Sequence, residues 1–244
     1  MKIAKFRFYE ELNDFLPSKR RKISLDHEFS GSPSVKDSIE ALGVPHVEVD
    51  LVVVNGMSVD FKYHLKDGDN VSVYPVFESL DITPLIRLRE KPLRVTKFIL
   101  DSHLGWLAKY MRICGFDTLF DNNYSDPEIV GIAESEKRII LTRDRELLKN
   151  NRVTHGYWIR SVKNDNQLKE VLRRFDLYRQ VSLFTRCLKC NTVLEEVNKE
   201  EIEDKLKPGT RKHFSTFKRC PVCKRIYWNG THYDRMKKFV ESFL

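Results

Sequence analysis

Four cysteines stand in two CxxC pairs that have the spacing of a metal site. Cys187 and Cys190 form the first pair, and Cys220 and Cys223 form the second. Four thiolates bind Zn²⁺ tetrahedrally and leave no open coordination position, so a zinc ion here would be structural. The gap between the pairs is longer than usual, but a longer loop adds little closure entropy. The sequence therefore predicts one Zn²⁺ per chain. Alternative ligands near these pairs are His213 and His232.

Three aspartates fall where a parallel sheet would gather catalytic carboxylates. Asp101 and Asp144 each follow a short apolar run, and Asp126 precedes Pro127 as the expected N-cap of a helix. Converging carboxylates repel one another unless a hard cation such as Mg²⁺ or Mn²⁺ lies between them. Such a site can activate water against a phosphodiester. Purely structural roles, as a helix cap or solvated loop carboxylates, stay open. Two weaker candidates are Asp117 and Asp121, which are expected mainly in turns.

The elements that would position these aspartates alternate between strand and helix. Apolar runs predict strands at 97–100, 117–120, 139–142 and 156–159. The segments between and after them predict helices, including 128–136 and 167–178. This alternation indicates a parallel α/β sheet, whose functional residues gather at the carboxyl ends of the strands. We therefore expect Asp101 and Asp144 at one edge of the sheet.

Positive charge is concentrated in the last third of the chain. The whole chain carries 43 Lys and Arg against 35 Asp and Glu, and residues 151–244 carry 21 against 11. A basic surface favours an anionic partner, with nucleic acid first. Aromatic residues among these cations suit the stacking of single-stranded RNA, although they could equally form a small core. The candidate RNA-binding residues are Arg143, Arg145, Lys218, Arg219, Lys224 and Arg225.

The first 80 residues have the pattern of a small mixed domain. The predicted elements are strands at 2–8 and 23–29, a helix at 35–42, and strands at 47–54 and 71–76. This order is that of a β-grasp, or ubiquitin-like, fold, and the segment from 52 to 75 resembles the small sulfur-carrier proteins of that fold. Those carriers end in a free Gly-Gly, whereas this chain continues past Pro75. We therefore expect a protein-docking role rather than sulfur transfer.

Four motifs stand out beyond residue 97: ILDSHLGWLA at 99–108, LTRD at 141–144, RCLKCN at 186–191 and YWNGTH at 227–232. Together they resemble the Mut-7 C-terminal RNase family. The resemblance implies a PIN-like nuclease fold followed by a zinc ribbon, and some members carry an N-terminal ubiquitin-like domain. It also implies that Asp101, Asp126 and Asp144 hold the catalytic metal. A fourth PIN acid is not evident. The best later candidate is Asp165, which looks more like a helix N-cap.

The expected architecture is mixed α/β and α+β, with three domains and one linker. It comprises a β-grasp domain at 1–80, a linker at 81–96, a PIN-like domain at 97–180 and a Cys₄ zinc ribbon at 181–244. No apolar run approaches the ~18 residues that span a bilayer, and the start of the chain does not resemble a signal peptide. We expect a cytoplasmic Mg²⁺- or Mn²⁺-dependent ribonuclease that does not contact membranes. The alternative is a non-catalytic RNA-binding or ribosome-associated protein.

Overall fold

A computed structural model describes residues 1–75 and 96–242 of the chain. The predicted linker at 81–96 lies outside the described residues except for its last position. The chain forms two compact units. Unit 1 comprises Met1–Arg94 together with Asp144–Trp158, and unit 2 comprises Val95–Arg143 together with Ile159–Leu244. Residues 144–158 group with the N-terminal unit, which no local sequence pattern reveals, and the predicted domain bounds stay a prediction.

Residues 1–75 of unit 1 form a five-stranded mixed sheet and one α-helix. The elements are β1 (Lys2–Phe8), β2 (Ser24–Phe29), α1 (Val35–Ala41), β3 (Val49–Val54), β4 (Met57–Val59) and β5 (Asn70–Pro75). The strand order is β2-β1-β5-β3-β4, and β1 runs parallel to β5. Ser34 caps α1 by accepting a hydrogen bond from the Asp37 N–H at 3.1 Å. The predicted β-grasp architecture is confirmed.

The core of unit 1 follows from the two-residue period of its strands. Along β1, alternate side chains including Phe6 and Phe8 are buried, and the intervening ones face outward. On α1, Val35 and Ile39 are spaced one helical turn apart and join the same buried cluster. Burying these side chains supplies most of the driving force for folding this unit.

Strands and helices alternate through the next part of the chain. They are β6 (Lys97–Leu100), α2 (Gly105–Ile113), β7 (Asp117–Leu119), α3 (Asp126–Glu136), β8 (Ile139–Thr142), α4 (Arg145–Leu148), β9 (Gly156–Trp158) and α5 (Asn164–Arg174). The strand order is β7-β6-β8-β9, and β6 pairs in parallel with both β7 and β8. Phe98, Ile99 and Leu100 are fully buried, as expected for a strand covered on both faces. The predicted parallel α/β sheet is confirmed.

Two predicted helix boundaries are wrong. Asp126 is the first residue of α3, and Ser125 is the N-cap, forming a capping box with Glu128. Helix α5 ends at Arg174 rather than at residue 178, and Asp176 just beyond it adopts a left-handed φ of 47°. That conformation is incompatible with continuing a right-handed helix.

The segment 144–158 is held within unit 1 by specific contacts. The Arg145 guanidinium donates to the carbonyl oxygens of Phe15, at 3.0 Å, and Asp14, at 3.3 Å. It also lies 3.9 Å from the centroid of the Trp158 ring. The Trp158 N–H donates to Glu48 Oε1 at 2.8 Å. Helix α4 and strand β9 are therefore structural parts of the N-terminal unit.

The last part of unit 2 is a small antiparallel sheet with two helices. Its elements are β10 (Glu195–Val197), α6 (Pro208–His213), β11 (Phe217–Arg219), β12 (Ile226–Trp228) and α7 (Thr231–Glu241), with strand order β10-β11-β12. Phe217 is buried in a local core with Ile202 and Leu206, whereas Trp228 is 38% exposed. Among the described residues, no helix is both long enough and apolar enough to cross a membrane.

Candidate functional site

The four cysteines of the two CxxC pairs converge in unit 2. All four Sγ atoms lie within 4.8 Å of one another, with 3.5 Å between Cys187 and Cys223 and 3.3 Å between Cys190 and Cys220. Tetrahedral zinc with Zn–S bonds of about 2.3 Å places its sulfurs about 3.8 Å apart. The cluster therefore has the donor type, number and spacing that Zn²⁺ requires, and the predicted convergence of these cysteines is confirmed. His213 and His232 do not belong to the cluster.

Hydrogen bonds around the cluster favour the ionised form of Cys187 and Cys190. The Tyr227 hydroxyl lies 3.1 Å from Cys187 Sγ and accepts from the Leu188 N–H at 3.0 Å. Burial opposes ionisation of Cys190, but hydrogen bonds from Thr192 and neighbouring groups outweigh it and lower its pKa to about 6. At Cys223 the Arg225 N–H favours the thiolate, but burial and the neighbouring cysteines outweigh it and raise the pKa to about 11. Because thiolates rather than thiols bind zinc, the protein alone favours the metal-binding form at the first CxxC pair and not at Cys223.

A buried polar network ties the first CxxC pair to the parallel sheet. Arg112, on α2, donates to the carbonyl oxygens of Thr118, Leu188 and Lys189 at 2.9–3.0 Å. Asn191 Oδ1 accepts from the Thr118 N–H at 2.9 Å, and Asn191 Nδ2 donates to Asp117 Oδ1 at 2.8 Å. Because Arg112 and Asn191 are both buried, these bonds are shielded from water. The metal-binding loop is therefore fixed against strand β7.

Asp117 is a structural residue of this network. Arg138 Nη1 lies 2.6 Å from Asp117 Oδ1, and Arg186 Nη2 lies 3.6 Å from Oδ2. Burial opposes ionisation of this carboxyl, but the hydrogen bonds from Arg138 and Asn191 outweigh it and lower its pKa. Asp117 was expected mainly in a turn. It is instead the first residue of β7, and its carboxylate pairs with Arg138 and Arg186 and accepts from the Asn191 amide.

Asp101 lies at the carboxyl end of β6 and is 6% exposed. Its Oδ2 accepts from the Thr142 hydroxyl at 2.5 Å and from the Arg143 N–H at 3.4 Å. Its Oδ1 accepts from the His103 N–H at 2.7 Å, which caps the short 3-10 turn at Ser102–Leu104. The carboxylate is therefore fixed at the edge of the sheet by three donors.

The other predicted acidic residues occupy helix starts. Asp144 is the N-cap of α4 and accepts from the Glu146 N–H at 2.8 Å. Asp126 is exposed at the start of α3, and Asp165 lies in the first turn of α5, where Lys163 is the N-cap rather than Asp165. Within residues 1–75 and 96–242, no set of three carboxylates lies as close together as the cysteines do. The structure thus brings the four cysteines together as predicted.

The predicted RNA-binding residues differ in how they are engaged. Arg219 Nη2 lies 3.6 Å from Glu201 Oε2, Lys218 Nζ donates to the Phe184 carbonyl at 3.4 Å, and Lys224 Nζ donates to the Pro221 carbonyl at 2.6 Å. Arg143 and Arg225 are exposed. The Arg145 guanidinium contacts carbonyls and a ring of unit 1, and its RNA-binding role stays a prediction.

The fold and the cysteine cluster define the class of protein: a parallel α/β sheet that continues into a Cys₄ metal-binding module, preceded by a β-grasp unit. Its family follows from comparison with known proteins. A family model described as the Mut7-C RNAse domain matches residues 96–240, more than half of the chain, and one described as Mut7-C ubiquitin matches residues 1–81. The chain belongs to the Mut7-C RNAse family, as its motifs indicated.

Two solved structures match about a third of the chain. Two solved structures of small archaeal modifier protein 1 from Haloferax volcanii match, at 16% and 15% identity. They cover 31% and 32% of this chain and 98% of their own chains, with TM-scores of 0.25 and 0.26. No curated protein sequence matches the chain.

Several residues that organise the site were missed by sequence reasoning. Arg112 and Asn191 act through contacts across more than 70 positions of the chain, so local spacing does not reveal their partners. Thr142 immediately precedes the LTRD arginine, but nothing in its type predicts a bond to Asp101. Asn191 did carry a signal, since it follows Cys190 within the RCLKCN motif and adopts a left-handed φ of 66°.

Proposed function

We propose that this protein is a metal-dependent ribonuclease whose catalytic carboxylates are Asp101, Asp126 and Asp144. Membership of a ribonuclease family supports the substrate class. The single observation that carries the proposal is the Asp101 carboxylate, which is buried at the carboxyl end of β6 and oriented by three hydrogen-bond donors. In parallel sheets, this edge is where reactive groups gather.

The donor set suits Mg²⁺ or Mn²⁺. Carboxylate oxygens are their preferred ligands, and Mg²⁺ is usually held by one or two carboxylates together with water and substrate phosphates. A preassembled cage of three carboxylates is therefore not needed. When bound, such a cation supplies Lewis acidity that activates water and offsets negative charge on the phosphodiester.

The protein's own groups have distinct roles in this proposal. Asp101 is the fixed ligand, because its two oxygens are already oriented by Thr142 and the backbone. Asp144 and Asp126 lie at helix starts and add negative charge that a cation would neutralise. The exposed Arg143 side chain follows the end of β8 and would contact the RNA phosphate.

The basic part of unit 2 is proposed to bind the RNA backbone. The proposed contacts are Lys218, Arg219, Lys224 and Arg225, around the second CxxC pair. Binding through phosphates releases counterions, so the affinity should fall steeply as salt rises. The zinc keeps this surface folded and takes no part in the chemistry, since four thiolates leave it no open position. The ubiquitin-like unit is proposed to contact a protein partner.

The test is single-turnover cleavage of a mixed single-stranded RNA pool by the full-length, zinc-loaded protein. Asp144→Asn is the sharpest variant, because Asn caps a helix as well as Asp does and only the charge is lost. We expect Asp101→Asn and Asp144→Asn each to lower the cleavage rate by about 100-fold or more, comparable to losing one preorganised transition-state contact. RNA affinity should be retained, because the basic surface is unchanged.

The matched control is Asp176→Asn, an exposed position outside the proposed site with a left-handed φ that Asn tolerates. Activity should require added Mg²⁺ or Mn²⁺ in protein dialysed without chelator, so that the zinc stays bound. Equal rates for the parent, Asp144→Asn and Asp176→Asn would contradict the proposal and favour a non-catalytic RNA-binding protein.

A further inference from the structure

A cavity of about 490 Å³ opens beside the metal-binding loop of unit 2. It lies between β12 and the first turns of α7, and the YWNGTH motif at 227–232 forms much of its wall. Its apolar wall includes Phe184, Leu188, Ile226, Tyr227, Trp228 and Tyr233. The volume falls in the range of about 300–1,000 Å³ that is typical of small-molecule sites. Neither the zinc cluster nor the proposed catalytic aspartates form its wall.

The aromatic wall is held in a defined geometry. The rings of Phe184 and Tyr233 lie 4.0 Å apart between centroids, tilted by 31°. The Tyr227 hydroxyl is anchored by the Leu188 N–H. Trp228 is 38% exposed at the edge of the cavity, so one large aromatic surface is left uncovered. Exposed aromatic faces beside an open cavity are where planar rings of a ligand stack.

Phe184 occupies a strained backbone conformation at this wall. Its φ is 55°, in the left-handed region, which is costly for a bulky residue. The Phe184 N–H donates to the Ile113 carbonyl at 2.8 Å, and its carbonyl accepts from Lys218 Nζ. These bonds hold the ring against the cavity. Strain of this kind is retained where a precise geometry serves a site.

The polar part of the wall selects the charge of the ligand. Lys109 and Lys218 contribute positive charge, and the fifteen wall residues, all within the described part of the chain, include no carboxylate. Asn229 and Thr216 offer amide and hydroxyl groups that can both donate and accept hydrogen bonds. An apolar peptide would gain nothing from two lysines. A planar heteroaromatic ring attached to phosphate would stack on the aromatic wall, hydrogen-bond to the amide and hydroxyl groups, and place its phosphate beside the lysines.

We propose that this cavity binds one unstacked base of single-stranded RNA, with Lys109 and Lys218 contacting the adjoining phosphates. This proposal rests on the proposed function, which makes RNA the substrate. It adds that the protein recognises single-stranded rather than double-stranded RNA. A base in a duplex is stacked on both faces and paired along one edge, so it cannot enter, whereas single strands offer bases that stack on aromatic side chains.

The test compares RNA with and without bases. A single-stranded RNA of ten nucleotides and the same sugar–phosphate chain lacking the central bases are titrated against the full-length zinc-loaded protein, without Mg²⁺ or Mn²⁺. We expect the base-bearing RNA to bind more tightly. Trp228→Ala should weaken its binding by roughly 5- to 100-fold, as for the loss of one stacked base, and should leave the affinity for the abasic chain unchanged.

Variants with predictable geometry keep the result interpretable. Trp228→Phe retains a stacking ring and should restore most of the affinity. Gly230→Ala places a Cβ 2.9 Å from Trp228 Nε1, so the exposed ring must shift and binding should fall. Tyr178→Ala removes an aromatic of similar exposure away from the cavity and should change nothing. Lys109→Ala should weaken both RNAs, whereas Lys238→Ala, on α7 but outside the wall, should have less effect.

Equal binding of base-bearing and abasic RNA by the parent protein would overturn the proposal and leave the cavity as an apolar site for another ligand. Equal effects of Trp228→Ala and Tyr178→Ala would overturn it as well. The readout is binding alone, so it separates the two proposals. If Asp144→Asn cleaves normally while Trp228→Ala loses base-dependent affinity, the cavity proposal stands and the catalytic one fails.

Discussion

The Thr142 hydroxyl donates a hydrogen bond to Asp101 Oδ2 across the ends of two adjacent parallel strands. Both residues are buried, and they lie 41 positions apart in the chain. A neutral hydroxyl facing a carboxylate fixes its orientation without neutralising its charge. The carboxylate is thereby held in a fixed orientation at the point where a cation is proposed to bind.

Replacing this hydroxyl should cost both stability and rate. Thr142→Val is nearly isosteric and leaves the buried Asp101 carboxylate with one donor fewer, so the free energy of unfolding should fall by about 1–3 kcal/mol. Cleavage should slow because the carboxylate loses its orientation. Urea unfolding monitored by circular dichroism measures the first effect, and single-turnover cleavage measures the second.

Thr142→Ser keeps the hydroxyl and should retain most of both properties. The exposed Thr154→Val serves as the matched control. A Thr142→Val protein as stable and active as the parent would show that the hydrogen bond to Asp101 contributes neither orientation nor stability.

Asn191 should respond differently to three substitutions. Asn191→Gly loses the bonds to Thr118 and Asp117 but accepts the left-handed φ, whereas Asn191→Ala loses the same bonds and adds backbone strain of about 1 kcal/mol. Asn191→Asp sets a second carboxylate beside Asp117 and should be the least stable near neutral pH. Thermal unfolding of the zinc-loaded variants measures the order of their stabilities. Equal stabilities for Gly and Ala would exclude strain at this position.

The metal prediction concerns stoichiometry and folding. Protein purified without chelators should contain one Zn²⁺ per chain by elemental analysis, and Cys190→Ser should lose it together with stability, because structural zinc contributes directly to folding. Cys114→Ala, a cysteine outside the cluster, should keep one zinc. Protein purified in this way without zinc, or with a disulfide between the pairs, would contradict the assignment.

Cys114 should be unreactive over the ordinary pH range. Burial raises the pKa of its thiol to about 12, so the reactive thiolate is scarce at pH 7–9 and increases only as the pH approaches that value. In the native zinc-loaded protein, alkylation with iodoacetamide at pH 8 should therefore modify no thiol rapidly. Fast labelling of Cys114 in the native protein, identified by mass spectrometry, would disprove this burial.

The sequence predicts the parts of the site that depend on local spacing. The two CxxC pairs converge as their pattern requires, and Asp101 follows an apolar strand, as its position after Leu100 indicates. The start of α3 could have been assigned correctly, because Ser125 is followed three residues later by Glu128, which is the signature of a capping box. The Asp126-Pro127 pair carries a competing pattern, that of an N-cap followed by a proline at the first helical position.

The remaining features depend on contacts that are distant in sequence. Arg112 is an ordinary helical residue by its local pattern, yet its guanidinium binds carbonyls of the metal-binding loop. Arg145 directly follows Asp144, the last residue of the LTRD motif, and its guanidinium has the chemistry to bind phosphate. Its carbonyl and ring partners nevertheless belong to unit 1. Side-chain chemistry alone does not distinguish a cation that binds a ligand from one that binds its own backbone.

The return of residues 144–158 to the N-terminal unit sets an order of events during translation. Helix α4 and strand β9 supply Arg145 and Trp158 to unit 1, so this unit lacks those contacts while only its first 75 residues have been synthesised. By the time Trp158 leaves the ribosome, strands β6, β7 and β8 have already emerged. The nascent N-terminal unit therefore reaches its final packing only after strands β6, β7 and β8 have been synthesised, although it contains the first residues of the chain.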